Sequence, residues 1–254
     1  MKIDLSGKKA VVTGAGQGIG LACVRAFTEA GADVLGGART VGPELLEATP
    51  YTLEVDLATP DGPGRLIEHA RRHFGGIDVL VNNVGGGVRL AAGFLDTEDA
   101  TWAETLELNL LSTVRATRAA LPSLVERQGA IVNIGSTNAT LADPRLSHYS
   151  AAKAAVVNLG KALSLEFSPQ GVGVNTISPG PVRTRLWSRS EIAAKMRLSE
   201  EEALAEIPKM MGLTTGKMIE PAEVAALAVL LGSKAVPSVT GVEYLIEGGM
   251  IKSV

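Results

Sequence analysis

Cysteine occurs once in the 254 residues, as Cys23, so no internal disulfide can form and a reducing compartment, the cytoplasm, is expected. Placed in the first helical run, that cysteine reads as a small buried apolar side chain. Positive charge is not in excess either. The 24 Lys and Arg face 27 Asp and Glu, for a net charge of −3, and form no run. A nucleic-acid partner therefore lacks its electrostatic footprint. No apolar stretch is long enough to span a bilayer, so no membrane partner is expected. No leader is expected, because the first strand begins by about Lys8. Internal repeats, low-complexity tracts, linkers and metal-ligating sets are all missing. Residues 1–254 thus read as a single domain without a metal site.

What is present is 46% hydrophobic residues and 29 glycines, a mix suited to an α/β protein with many tight turns. Short apolar strands are expected at Lys8–Thr13, Asp33–Gly37, Tyr51–Val55, Ile77–Val81, Ala130–Ile134, Gly173–Ser178 and Gly241–Ile246. Helical patterns fall between them: to about Ala30, Arg65–Phe74, two across Asp99–Arg127, Tyr149–Phe167 and Glu220–Leu231. This alternation predicts an α/β Rossmann-like fold, a doubly wound parallel β-sheet with helices on both faces.

The first strand runs into Gly14-Ala15-Gly16-Gln17-Gly18-Ile19-Gly20 and then a helix. In that order the three form a phosphate site: glycines let backbone N–H groups approach a pyrophosphate, which rests at the positive helix end. The second strand leads into Ala38-Arg39-Thr40 with no acid at its end, where an NAD-binding fold usually carries one for the ribose hydroxyls. Arg39 suits a 2′-phosphate, which favours NADP(H) and leaves NAD(H) possible. It also reads as a solvated surface residue, or as a plate for the adenine.

Tyr149 and Lys153 lie four apart on a helix and so share a face. An ammonium there would lower the tyrosine's pKa and fit it for proton transfer near neutrality. Ser136 ends the preceding strand at the sheet's carboxyl edge, where open α/β folds place ligands. Asn109 stands in an otherwise apolar helical stretch and needs a partner if buried. Residues 186–218 carry Trp187, Met196, Leu198, Leu204, Ile207, Met210 and Met211 among charges. They read as a mobile amphipathic flap with an apolar substrate wall, or as a helix packed on the core.

Taken together, Thr13–Gly20, Asn82-Asn83-Val84-Gly85, Asn109, Ser136, Tyr149-Ser150-Ala151-Ala152-Lys153 and Pro179-Gly180 resemble the classical short-chain dehydrogenase/reductase family in order and spacing, over nearly the whole chain. Val84 and Glu247 stand where the family usually has Ala and Asp. The resemblance implies residues 8–135 as mainly dinucleotide-binding and 136–254 as bearing the catalytic residues. It further implies a pyrophosphate over Gly14, Gln17, Gly18, Ile19 and Gly20, and adenosine contacts at Asp56, Leu57, Asn83 and Gly85. The nicotinamide side falls to Pro179, Gly180, Val182 and Thr184. Tyr149 is implied as proton donor, Ser136 as partner of the same oxygen, Lys153 as support for Tyr149 and the ribose, and Asn109 as holder of a relay water.

The function so implied is NADP(H)-dependent hydride transfer between nicotinamide and a ketone or secondary alcohol, with a small carbonyl/alcohol substrate. A 3-oxoacyl-carrier-protein reductase and an NAD-dependent alcohol dehydrogenase are the alternatives. The first needs a basic patch, for which Arg89, Arg145, Arg183, Arg185 and Arg189 are available. A dehydration or epimerisation on the same scaffold, or a silent binding protein, has less support, because Asn109, Ser136, Tyr149 and Lys153 are all present. The helix from Tyr149 is apolar or small on nearly every side, so a partner subunit should cover it. With the resemblance, that points to a homotetramer or homodimer.

Overall fold

The computed structural model describes residues 3–86, 90–185, 197 and 199–252. Seven parallel strands form one sheet in the order β3-β2-β1-β4-β5-β6-β7. They are β1 (Lys9–Thr13), β2 (Asp33–Ala38), β3 (Tyr51–Glu54), β4 (Val79–Asn82), β5 (Ala130–Ile134), β6 (Gly173–Pro179) and β7 (Glu243–Ile246). The chain builds outward from β1 to β3, then returns to lay β4 against β1's other side, with Ala10 opposite both Val34 and Val79. This reversal is the point at which doubly wound sheets open a crevice at their carboxyl edge.

Eight α-helices lie among the described residues: α1 (Gly18–Glu29), α2 (Pro43–Ala48), α3 (Gly62–Phe74), α4 (Asp99–Leu106), α5 (Ser112–Glu126), α6 (Ser147–Phe167), α7 (Glu200–Met210) and α8 (Pro221–Gly232). Successive side chains in a strand point to opposite faces, and the core divides accordingly. Ala10, Val12, Val34, Val79, Val81, Val132 and Ile134 meet α1 and α8 on one face. Val11, Leu35, Leu80 and Ile131 meet Leu66 and Ile67 of α3 and Ala116, Ala120 and Leu124 of α5 on the other. With both faces covered, the central strands β1, β4 and β5 are buried nearly end to end, as parallel sheets require.

The expected elements recur within a residue or two at most ends. Helix α2, only six residues long, carries no periodic signal and was not expected. Helices α4 and α5 are joined by a single π turn, Glu107–Leu111, with Asn109 at its centre. Part of the expected flap, residues 186–196 and 198, including Trp187, Met196 and Leu198, lies outside the described residues. Over 200–210 the packed-helix reading fits one face, where Ala203 and Ile207 are buried; beyond the helix Leu213 and Met218 are also buried, whereas Met210 and Met211 are exposed. Helix α6 buries His148, Ala152, Lys153, Val156 and Gly160. It leaves Ala151, Ala154, Ala162 and Leu165 exposed, the surface on which the expectation of a partner subunit rests.

Candidate active site

The loops following β1, β2, β4 and β6 converge at the carboxyl edge. After β1, Gly14 and Gly18 take φ of +66° and +55°, the left-handed region that glycine enters without strain. Gly20 has a different constraint: a Cβ there would stand 2.2 Å from the Gly14 carbonyl oxygen and 2.5 Å from Asn83 Nδ2. The turn closes only without a side chain at that position. Gln17, at the start of α1, makes no capping side-chain hydrogen bond, and no acid stands in the first turn. The first backbone N–H groups and the positive end of the helix dipole are thus left to an anion.

Asn83 clamps this turn, donating from Nδ2 to the carbonyls of Thr13 and Gly14 at 2.9 and 3.1 Å. Thr13 completes the clamp, its Oγ1 accepting the backbone N–H groups of Asn83 and Val84 at 2.9 and 3.0 Å. On the β2 side, the Gly16 Cβ position lies 3.3 Å from both Ala38 Cβ and the Thr40 carbonyl oxygen. On the β6 side, Thr184 Cγ2 lies 3.1 Å from the Gly18 Cβ position. Gly180 and Val182 carry the chain there, Gly180 donating to the Ile246 carbonyl at 2.8 Å and Val182 bridging to Ile219. Pro179 ends β6. Ile19 packs on the α1 side of the core. Arg39 and Thr40 are exposed, and Arg39 has no ion pair or hydrogen bond among the described residues. Asp33, at the opposite end of β2, is tied to Lys9. Asp56 folds back to accept from the Ala58 N–H at 2.9 Å. Leu57 is buried in the second core, which leaves only its backbone for a ligand.

Beside this cradle, Lys153 is 3% exposed and donates to the Ile134 carbonyl at 2.9 Å. Its Nζ lies 5.8 Å from the Tyr149 ring centroid. Burial pulls the ammonium's pKa down to about 8. Gly85 connects it to Asn109, for a Cβ at Gly85 would be 3.0 Å from Asn109 Oδ1 and 3.2 Å from Lys153 Nζ. Asn109 is fully buried and both atoms of its amide are bonded. Oδ1 accepts the Gly86 N–H at 2.9 Å, and Nδ2 donates to the carbonyls of Gly86 and Thr105 at 3.1 and 3.0 Å. The partner that a buried mid-helix Asn needs is therefore the loop after β4.

One expectation is overturned. Tyr149 does not have its pKa lowered by Lys153: burial pushes the half-buried phenol above its ordinary value, and only the Ser136 hydroxyl pulls it back. The cause is desolvation, which penalises the phenolate and the ammonium alike, while the ammonium's hydrogen bond goes to Ile134. Ser136 caps the short turn Thr137–Ala139, accepting the Asn138 N–H at 3.2 Å, and its Oγ lies 3.4 Å from Asn138 Oδ1.

Two neighbours of the site, Asn138 and His148, escaped the sequence reading, and a third, Thr13, entered it only as the first residue of the glycine motif. Thr13 is the counterpart of the Asn83 clamp. Asn138 sits beside the Ser136 hydroxyl, two residues beyond it on the same loop. His148 precedes Tyr149, is 1% exposed, and meets Trp102 edge to face at 6.2 Å. Only the adjacency of Asn138 and His148 to Ser136 and Tyr149 could have pointed to them.

Comparison with known proteins places this site in context. A family model described as enoyl-(acyl carrier protein) reductase matches residues 14–251. The chain is 38% identical to L-fucose dehydrogenase of Bos taurus, over 96% of its own length and 89% of that protein. It is 30% identical to a 3-oxoacyl-[acyl-carrier-protein] reductase of Vibrio cholerae, over 98% and 99% of the two chains. The crystal structure of L-sorbose reductase from Gluconobacter frateurii, complexed with NADPH and L-sorbose, superposes with a TM-score of 0.93 at 30% identity, covering 100% of both chains.

Proposed function

The chain belongs to the short-chain dehydrogenase/reductase family and is an oxidoreductase, and we propose that it uses NADP(H) to interconvert a carbonyl and a secondary alcohol on a small polyhydroxylated substrate. The observation that carries this reading is the meeting of Ser136, Tyr149 and Lys153 beside a glycine cradle that no side chain could enter at Gly20. The cradle fits a pyrophosphate: N–H groups, a helix N-terminus and no acid. When bound there, a nicotinamide supplies or accepts the hydride. Residues 8–135 are assigned the dinucleotide and 136–254 the remaining chemistry.

In this reading Tyr149 gives its proton to the substrate oxygen as negative charge develops, or takes it from the alcohol in reverse. A phenol held neutral by burial is ready to donate. Ser136 Oγ–H bonds the same oxygen, an electrostatic task of the oxyanion type. Lys153, held by Ile134, offers its remaining N–H donors towards the ribose. Asn109 fixes the loop at Gly86 and with it the wall beside Lys153.

Support for a sugar-like substrate comes from the L-fucose and L-sorbose enzymes. Against a carrier-protein substrate stands the state of the basic patch. Arg145 is paired with Asp143, and Arg183 with Glu220 through two 2.8 Å bonds. Arg185 is exposed and has no ion pair among the described residues, and Arg89 and Arg189 lie outside them.

Support for NADP(H) comes from Ala38 and the unpartnered Arg39, and from the NADPH held by the sorbose reductase. Charge-assisted bonds from Arg39 to a 2′-phosphate should favour NADPH over NADH by about tenfold in kcat/KM. The margin should shrink as salt screens an exposed pair. The test is kcat/KM for both cofactors with L-sorbose and L-fucose, in wild type and in Ala38→Asp with Arg39→Leu. Inverted preference in the double variant is expected; a wild type that favours NADH would overturn the cofactor assignment.

A further inference from the structure

Ser136 carries one hydroxyl hydrogen, and besides the Tyr149 oxygen two acceptors claim it. One is Asn138 Oδ1, 3.4 Å from Ser136 Oγ; the other, in the reading above on which this inference rests, is the reacting oxygen of the substrate. The Asn138 backbone N–H is already donated to Ser136 Oγ at 3.2 Å, which holds the two residues in one tight turn. Asn138 is only partly exposed, and no hydrogen bond to its side chain other than the Ser136 contact is found among the described residues. Its amide therefore stands next to the reaction with almost all of its hydrogen-bonding capacity unspent.

We propose that Asn138 is a specificity residue that reads a hydroxyl on the carbon adjacent to the one that reacts, so that the substrates are α-hydroxy carbonyl compounds and vicinal diols. The coupling is local. When Ser136 turns its hydrogen to the reacting oxygen, Asn138 Oδ1 loses the one side-chain donor it has among the described residues, while remaining partly buried. Once bound substrate shields it from water, an acceptor left so is costly. A hydroxyl on the neighbouring carbon restores the balance: it donates to Oδ1 and accepts from Nδ2, using both functions of the amide. A methylene does neither. The geometry suits one carbon and no more. Ser136 Oγ lies one hydrogen bond from the reacting oxygen, so Oδ1 falls within about 6 Å of it, a span that an oxygen on the adjacent carbon bridges. An amide suits this task better than a carboxylate or an ammonium, since it matches a neutral hydroxyl without a buried charge.

The test pairs 2-hydroxycyclohexanone with cyclohexanone as substrates for NADPH oxidation, in wild type, Asn138→Ala and Asn138→Asp. Wild type should prefer the hydroxyketone by about tenfold or more in kcat/KM. In Asn138→Ala that ratio should fall close to one, mainly through the hydroxyketone's KM, with NADPH affinity, read by its fluorescence, unchanged. Asn138→Asp, which keeps the acceptor, should retain part of the ratio. If both ketones lose activity in parallel in Asn138→Ala, the residue only shapes the turn and the proposal falls. A wild-type ratio near one also overturns it, while leaving the oxidoreductase reading intact. No NADPH oxidation with these ketones or with L-sorbose, and no NADP+ reduction with L-fucose, would instead remove the reading beneath it, and the proposal with it.

Discussion

Tyr149→Phe is expected to lower kcat by about 10²- to 10⁴-fold, the range of a lost general acid, while NADPH affinity stays within a few-fold of wild type. The substitution deletes one oxygen and keeps the ring that faces Lys153 Nζ at 5.8 Å. Fold and cradle should be undisturbed, because Tyr149 appears in neither core cluster. The two readouts separate chemistry from binding: steady-state turnover reports the proton donor, and fluorescence titration with NADPH reports the cradle. Since burial raises the Tyr149 pKa, the phenol stays protonated across neutral pH, so carbonyl reduction by the wild type should not fall off through loss of this proton as pH rises through neutrality. A Tyr149→Phe variant within tenfold of wild type, about 1.4 kcal/mol, would show that another group supplies the proton.

Lys153→Met should damage turnover on a similar scale and weaken NADPH binding too, since the ammonium faces both the tyrosine and the cofactor side of the cleft. Its second effect is on stability. In the folded chain the Lys153 pKa lies at about 8, down from 10.5, through burial. Below pH 8 both folded and unfolded states hold the proton, and the folded state bears the full desolvation cost. Between pH 8 and 10.5 the folded state releases its proton first, so the cost is relieved and stability rises with pH. The gain reaches up to about 3 kcal/mol at 1.36 kcal/mol per unit. Tyr149, with its raised pKa, works in the opposite sense only above about pH 10. Thermal unfolding of the cofactor-free protein between pH 8 and 10 should therefore show rising stability in wild type that Lys153→Met lacks. Parallel curves for the two would mean that Lys153 is not the strained group.

Much of this was legible in the chain because its causes are local. Ala10-Val11-Val12 and Val34-Leu35 are short unbroken apolar runs between turn signals, the pattern of strands buried on both faces. Gly14, Gly18 and Gly20 mark a turn by their spacing, and the helix pattern after Gly20 marks what the turn feeds. Tyr149 and Lys153 share a face by helix geometry alone. The acidity of Tyr149 was misread because desolvation is set by everything packed around it, and the Lys153 ammonium is drawn to Ile134, 19 residues away. Asn109 announced a need for a partner but not its identity, since Gly86 lies 23 residues distant and across a π turn. Helix α2 is too short to show periodicity. Asn138 looked like an ordinary loop residue until the capped turn set its amide against Ser136.

The central claim is that this carboxyl-edge site moves a hydride between a nicotinamide and a substrate carbon while Tyr149 handles the proton. Its most direct measurement is isotope transfer: L-sorbose is reduced with NADPH carrying a single deuterium at C4, in each of the two stereochemical forms, and the alcohol product is weighed by mass spectrometry. One form should deliver one deuterium per product molecule to the carbon that bore the carbonyl, and the other none. Product without deuterium from either form, or deuterated product formed equally well by Tyr149→Phe, would contradict the account.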